Sequence, residues 1–291
     1  MKEIVVISGK GGTGKTSITA SLAILGGSDV VVADCDVDAA DMHLLLQPAV
    51  KQQEDFFSGV LAQIDPKQCL NCGKCAEICR WQAIELVAAA HQVQAIDCEG
   101  CGYCARICPT SAISMPEQKV GKWMISEIKS SAKMVHAALG IAAENSGKLV
   151  AKVKNEAKQI AVDEQKSFVL VDGSPGVGCP VVSSLSGADL VILVTEPSVA
   201  GIHDLKRVYQ LVEKFKIPAL CIINKYDINS QKAEELYTFL QQNNIALLAE
   251  IPYDENFTRA MTLGKTIVEH DPDGIGAIIR NSWDKIRNEE I

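Results

Sequence analysis

The chain has 291 residues, 47% of them hydrophobic, with 28 Lys and Arg against 36 Asp and Glu for a formal net charge of −8, and 11 cysteines. That length and apolar fraction predict one or two domains with a sizeable core and exclude an intrinsically disordered chain. The acidic balance argues against a general binder of nucleic-acid backbones, and cysteines without a secretory leader predict metal or redox chemistry rather than disulfides.

The first strand, Ile4 to Ser8, meets a glycine at Gly9. That is too soon, and the flank too acidic, for a signal peptide. No uncharged apolar run reaches bilayer length, so the chain reads as soluble and cytoplasmic, with no membrane insertion. Next comes Gly9-Lys10-Gly11-Gly12-Thr13-Gly14-Lys15-Thr16, followed by Ser17 and a stretch of helical spacing from Lys15 to Leu25. This satisfies the P-loop pattern in its strand, loop, helix context. The glycines let backbone N–H groups close around phosphate oxygens, Lys15 reaches the β/γ-phosphates and Thr16 ligates Mg²⁺. A second strand, Val30 to Ala33, runs into Asp34-Cys35-Asp36-Val37-Asp38. Later strands are read at Phe168 to Val171, Leu190 to Thr195 and Ala219 to Ile223, and helices at Ser146 to Ile160, Gly201 to Phe215, Gln231 to Gln241 and Ile275 to Ile286. Near-continuous apolar strands between amphipathic helices predict a mostly parallel α/β sheet covered on both faces. The last helix has balanced charges and no basic membrane-seeking face.

Eight of the eleven cysteines lie between Cys69 and Cys108. They fall in an internal repeat: Cys69-Leu70-Asn71-Cys72-Gly73-Lys74-Cys75-Ala76-Glu77-Ile78-Cys79 recurs as Cys98-Glu99-Gly100-Cys101-Gly102-Tyr103-Cys104-Ala105-Arg106-Ile107-Cys108, and an Ala-Ile pair follows each copy (Ala83-Ile84, Ala112-Ile113). The domain division expected is therefore 1–59 and 120–291 for the nucleotide domain, interrupted by a metal-dependent module over 60–119. Each copy has the C-x-x-C-x-x-C-x-x-x-C spacing of bacterial two-cluster ferredoxins. That resemblance implies two 4Fe-4S clusters, one on Cys69, Cys72, Cys75 and Cys108, the other on Cys98, Cys101, Cys104 and Cys79. Zinc is disfavoured, since its sites usually pair two C-x-x-C units across a longer gap. Pro109 follows the second run in the ferredoxin manner, but Arg80 and Trp81 follow the first, a departure that bears on solvent exposure and potential rather than on ligation.

Lys10, one residue after the first loop glycine, resembles the additional "signature" lysine of the MinD, ParA and nitrogenase iron protein class of P-loop ATPases. With the cysteine repeat, nearly the whole chain resembles MinD-superfamily ATPases that contain an inserted ferredoxin domain. The resemblance implies an ATP-sandwich homodimer in which Lys10 reaches the facing nucleotide. It also implies a Walker B carboxylate at Asp172, a backbone switch at Gly176, and a water-orienting switch I carboxylate at Asp36. The Mg²⁺ shell would then draw on Thr16, Asp36 and Asp172, with Asp34 a supporting contact and Asp38 and Asp41 solvated or capping. Ile223-Asn224-Lys225-Tyr226-Asp227 resembles the guanine-reading loop of GTPases; the signature lysine points instead to ATP (or ADP), with Asn224 on the adenine edge, and GTP is the alternative.

Three cysteines stand outside the repeat. Cys35 and Cys221 read as buried hydrophobes. Cys179 falls at the offset from Asp172 where the nitrogenase iron protein holds a bridging cluster; a bridging, a redox or partner-contact, and a packing role all stay open. The five histidines, His43, His91, His136, His203 and His270, are scattered and make no metal constellation. Functionally the resemblance implies a slow, partner-coupled ATPase in which nucleotide state acts on electron transfer, with a cluster carrier of the Mrp type or a redox-sensing positioning ATPase of the MinD/ParA type as alternatives. Cluster loading makes the chain still more acidic. This points to a redox partner with a basic docking face, whether from a separate gene, an operon neighbour or a paralogue.

Overall fold

In the computed structural model, residues 1–37, 41–140 and 146–289 are described. Asp38 lies outside the described residues. The chain forms two compact units, one of Met1–Glu54, Lys122–Leu139 and the chain from Ser146 on, the other of Asp55–Gly121 with Gly140.

The nine-stranded sheet has the spatial order Ala246–Ile251, Ala219–Asn224, Leu190–Thr195, Lys2–Ile7, Phe168–Asp172, Val30–Asp34, Lys133–Leu139, Glu117–Glu127, Ala49–Val60. The first seven strands pair in parallel throughout. Their buried runs, such as Val30–Asp34 and Leu190–Thr195, are apolar on both faces because helices cover both. Side chains alternate between faces. On one face Ile4, Val6, Val30, Val32, Phe168, Leu170 and Ile192 pack with the helix Lys15–Gly26, the short helix Met42–Leu46 and the C-terminal helix Ile275–Arg287. Trp283 meets the Phe168 ring edge-on there, with centroids 5.2 Å apart. The other face is covered by the helices Ser146–Asp163, Cys179–Leu185 and Val199–Phe215, whose buried residues include Leu149, Val153, Leu185 and Leu205.

The strands read from sequence are present to within a residue or two. Lys133–Leu139, Ala246–Ile251 and the two long strands Glu117–Glu127 and Ala49–Val60 were not expected. Ala49–Val60 is exposed along most of its length, so it carries no buried-strand pattern to read.

The second unit is built by the repeat. Each cysteine run turns through a left-handed glycine, Gly73 (φ 77°) or Gly102 (φ 74°), into a five-residue helix, Lys74–Ile78 or Tyr103–Ile107. Two short antiparallel ribbons hold the halves together. Gln63–Ile64, before the first run, pairs with Ile113–Ser114 after the second, and Ile84–Val87, after the first, pairs with Ala90–Val93 before the second. The buried apolar residues here are few: Ala62, the two Ala-Ile pairs and Val120.

Candidate functional site: a phosphate loop and two cysteine-lined cavities

Parallel pairing sends the C-terminal ends of all the central strands to one edge of the sheet, where ligands bind in open α/β folds. In register, Val6 lies beside Asp172 and Asp172 beside Asp34. The phosphate loop leaves Lys2–Ile7 at that edge. Gly14 caps the following helix at φ 92°, and a Cβ there would lie 2.4 Å from the Asn224 amide nitrogen, so backbone conformation and space both demand glycine.

Lys15 is almost fully buried. Its ammonium group lies 2.9 Å from Asp172 Oδ2 and 3.6 Å from Asp36 Oδ2. Burial alone would lower its pKa, but the two carboxylates outweigh it and hold the pKa above the ordinary value. Asp172 is fully buried and accepts hydrogen bonds from the Thr16 and Thr19 hydroxyls, both at 2.8 Å. Sequence reasoning missed Thr19, although its place one helical turn after Thr16 puts both on one face. Asp34 Oδ1 accepts from the Asp36 N–H at 3.2 Å, while its buried Oδ2 has no protein partner. Burial, then Asp172, pushes the Asp34 carboxyl up to about 8. Hard oxygen donors from Thr16, Asp36 and Asp172, with the unsatisfied Asp34 oxygen beside them, suit a hydrated Mg²⁺.

The segment after Asp172 is tied to the strand end before the loop and to the segment after Asp34. The Gly176 N–H (φ 93°) donates to the Ser8 carbonyl at 3.0 Å, and Ser174 Oγ donates to the Cys35 carbonyl at 2.6 Å. Lys10 lies 2.5 Å from Glu196 Oε1, and Lys225 lies 2.9 Å from Glu196 Oε2 and donates to the Gly12 carbonyl at 3.2 Å. Burial alone would raise the pKa of Glu196, but the two lysines prevail and lower it. Glu196 went unnoticed in the sequence; its position just after the strand Leu190–Thr195 is the signal that would have found it. Asn224 is buried behind the loop, its amide donating to the Thr13 carbonyl at 2.8 Å and its Oδ1 accepting from the Lys225 N–H at 3.0 Å. Asp227 Oδ1 accepts from the Tyr253 N–H at 2.7 Å. Ser17 Oγ meets the Met261 sulfur at 3.8 Å.

The CobQ/CobB/MinD/ParA nucleotide-binding domain matches residues 4–267, from the first strand through the cysteine module to beyond the sheet. The chain belongs to this family of MinD/ParA-type P-loop ATPases. An uncharacterized protein of Methanocaldococcus jannaschii, MJ0578, is 33% identical over 230 residues, 78% of this chain and 79% of its own length. The chloroplastic septum site-determining protein minD homolog of Arabidopsis thaliana is 22% identical across 92% of this chain and 69% of its own length. In fold, the chain is similar to the septum site-determining protein MinD of Pyrococcus horikoshii complexed with Mg-ADP, with a TM-score of 0.59 at 20% identity over 100% of this chain and 98% of that one. Among the described residues no helix is long and apolar enough to cross a membrane.

The second unit carries two cavities that the MinD/ParA-type body does not need for nucleotide. One, of about 400 Å³, is lined by Cys98, Cys101 and Cys104 of the second run and by Cys79 from the first, together with Arg80, Trp81 and Tyr103. The other, of about 20 Å³, is lined by Cys69, Cys72 and Cys75 of the first run and by Cys108 from the second, with Lys74, His91, Pro109 and Thr110. All eleven cysteines are free thiols. Among the described residues no three His, Cys, Asp or Glu side chains converge on a single-ion site. Burial pushes the Cys75 and Cys104 thiols up, whereas at Cys108 burial pulls up but hydrogen bonds from the Thr110, Ala112 and Ile113 backbone and the Thr110 hydroxyl together outweigh it and bring the thiol down. Cys35 and Cys221 are buried, as hydrophobes would be, and Cys179 is exposed at the start of the helix Cys179–Leu185.

Proposed function

We propose that this MinD/ParA-type ATPase hydrolyses ATP as a homodimer and couples its nucleotide state to electron transfer by two 4Fe-4S clusters carried in an inserted ferredoxin domain over 60–119. The observation that carries the reading is the crossing of the fourth cysteine. Cys79 lines the cavity of the second run and Cys108 that of the first, the ligand exchange that distinguishes a two-cluster ferredoxin from independent metal knuckles. The donor sets are all thiol, which suits iron–sulfur ligation and not a hard cation. A cubane core also holds its four thiolates around several atoms, so it does not require them to meet at one ion.

At the phosphate loop, Lys15 and the loop N–H groups bind the β/γ-phosphates, Asp36 orients the attacking water, and Asp172 orders Lys15, Thr16 and Thr19. Thr16, Asp36 and Asp172 would hold Mg²⁺, which would supply charge neutralisation in phosphoryl transfer. Lys10, drawn out of its pair with Glu196, reaches the nucleotide of the facing subunit. Asn224 buttresses the loop from behind, and its amide remains the candidate adenine contact. Competition between ATP and GTP in equilibrium binding tests the base assignment, and a preference for GTP would overturn it.

The coupling is tested by anaerobic purification and a redox titration with and without ATP. The expected result is about eight irons per chain and midpoints or partner affinity that differ between ATP and ADP. Coupling demands that ATP bind the two redox states with different affinity, so curves that superimpose refute it. The likeness to septum site-determining proteins favours a second reading, a redox-sensing positioning ATPase, which nucleotide-dependent localisation or filament formation that responds to cluster reduction would support instead. Rapid transfer of iron and sulfur to an apo-acceptor would point to a cluster carrier.

A further inference from the structure

The internal repeat is its own control: any residue that differs between equivalent positions makes the two cavities inequivalent. Some sulfur contacts match. The Ala83 N–H donates to Cys79 Sγ at 3.4 Å and its repeat equivalent, the Ala112 N–H, to Cys108 Sγ at 3.3 Å. Exposure matches as well, with Cys72 and Cys101 exposed and the other six intermediate.

Two donor contacts do not match, and a third contact, Cys69 Sγ to Asn71 Oδ1 at 3.6 Å, has no counterpart at Gly100 and offers a cluster-bound sulfur no proton. Thr110 Oγ1 lies 3.7 Å from Cys108 Sγ; a sulfur bound to iron has no proton, so the hydroxyl is the donor there. Its repeat equivalent is Trp81, which has no hydroxyl. The Asn71 N–H donates to Cys69 Sγ at 3.4 Å, and Gly100 at the equivalent position makes no such bond to Cys98 among the described residues. Both unmatched donors serve the set Cys69, Cys72, Cys75 and Cys108. The flanking charges lean the same way. Lys74 lines this cavity, whereas Arg80 and Glu99 line the other with opposite signs. These three charges are exposed and therefore screened, which leaves the hydrogen bonds as the larger effect.

Resting on the cluster reading above, we propose that the set Cys69, Cys72, Cys75 and Cys108 holds the more easily reduced of the two clusters, and that the Thr110 hydroxyl sets much of the difference. Donors to cluster sulfurs stabilise the added negative charge of the reduced form and so raise its potential. One electron delivered to the chain by a one-electron reductant such as dithionite therefore settles on this set, and the Cys79, Cys98, Cys101 and Cys104 set is reduced second. Thr110 acts as a positioning residue through Cys108.

The test is a redox titration of the anaerobically reconstituted full chain, followed by electron paramagnetic resonance. Two midpoints are expected. Thr110→Val lowers the higher one and leaves the lower in place, Thr110→Ser restores it, and Trp81→Thr, which puts a hydroxyl at the equivalent position, raises the lower one. Eight irons with coincident midpoints, or a Thr110→Val shift confined to the lower midpoint, overturn the assignment while leaving the two-cluster reading intact. Four irons or fewer overturn the two-cluster reading itself, and the assignment with it.

Discussion

The nucleotide body and the cysteine module are held together by different physics. In the body, strands such as Val30–Asp34 are buried on both faces and two layers of helices close over them; apolar burial at roughly 25 cal/mol per Å² is ample to fold it. The module has two Ala-Ile pairs, Ala62 and Val120 for a core, and both of its helices have five residues, shorter than a helix that is stable by itself. A region so poor in apolar contacts needs another source of free energy, which on the proposed reading comes from cores bound by the eight thiols. The contrast teaches that a body folded by apolar period can contain a module with almost no apolar core, whose order must come from elsewhere.

The sharpest way to break this comparison is to remove iron. Anaerobic chelation should open 60–119 to protease while the body stays protected and still binds ATP; equal protection of both regions would show that the module folds without ligands. A smaller effect is expected within the body at Lys154. This lysine is buried against Glu3 at 2.7 Å and donates to the carbonyls of Ser184 and Ser186. Lys154→Ala leaves the buried Glu3 with only the half-exposed Lys158, 3.7 Å from its Oε2, and chemical denaturation should register a loss of about 3 kcal/mol, with the module's iron content unchanged.

His136 makes the comparison pH-dependent. It is buried, shares a 2.8 Å hydrogen bond with Ser126, and burial lowers its pKa to about 4 from 6.5. The native state thus binds this proton less readily than the unfolded chain, so its contribution is complete above pH 6.5 and is lost as pH falls toward 4. The full swing is about 3 kcal/mol, and denaturation midpoints of a His136→Gln variant should lack that slope. The smallest effect is at Asn224, whose buried amide supports the Thr13 carbonyl. Asn224→Ala should cost about 1–3 kcal/mol of loop stability, read as weaker ATP binding by calorimetry; unaltered affinity would show that the loop holds its shape without it.

Much of this was legible in the linear chain because it rests on local rules. The phosphate loop needs left-handed glycines between a strand and a helix, and Gly12 and Gly14 occupy such conformations. Carboxylates at strand ends were readable for the same reason, since a parallel sheet gathers those ends at one edge. The cysteine repeat was legible because three cysteines of each run recur at the same short spacing, whereas the fourth, Cys79 or Cys108, reaches the other run's cavity only through the fold.

Other features depended on contacts far apart in sequence. Lys154 sits on an amphipathic helix where a lysine would ordinarily face water, and only its packing over Glu3, 151 residues earlier, buries it. Glu196 becomes meaningful only when folding places Lys10 and Lys225 on its two oxygens. The sequence alone determined the P-loop body and the repeat of thiols, because backbone conformation and short residue spacing are local. The tertiary structure decided which charges are buried and paired and which residues line the two cysteine cavities, because burial is a property of the whole packed chain.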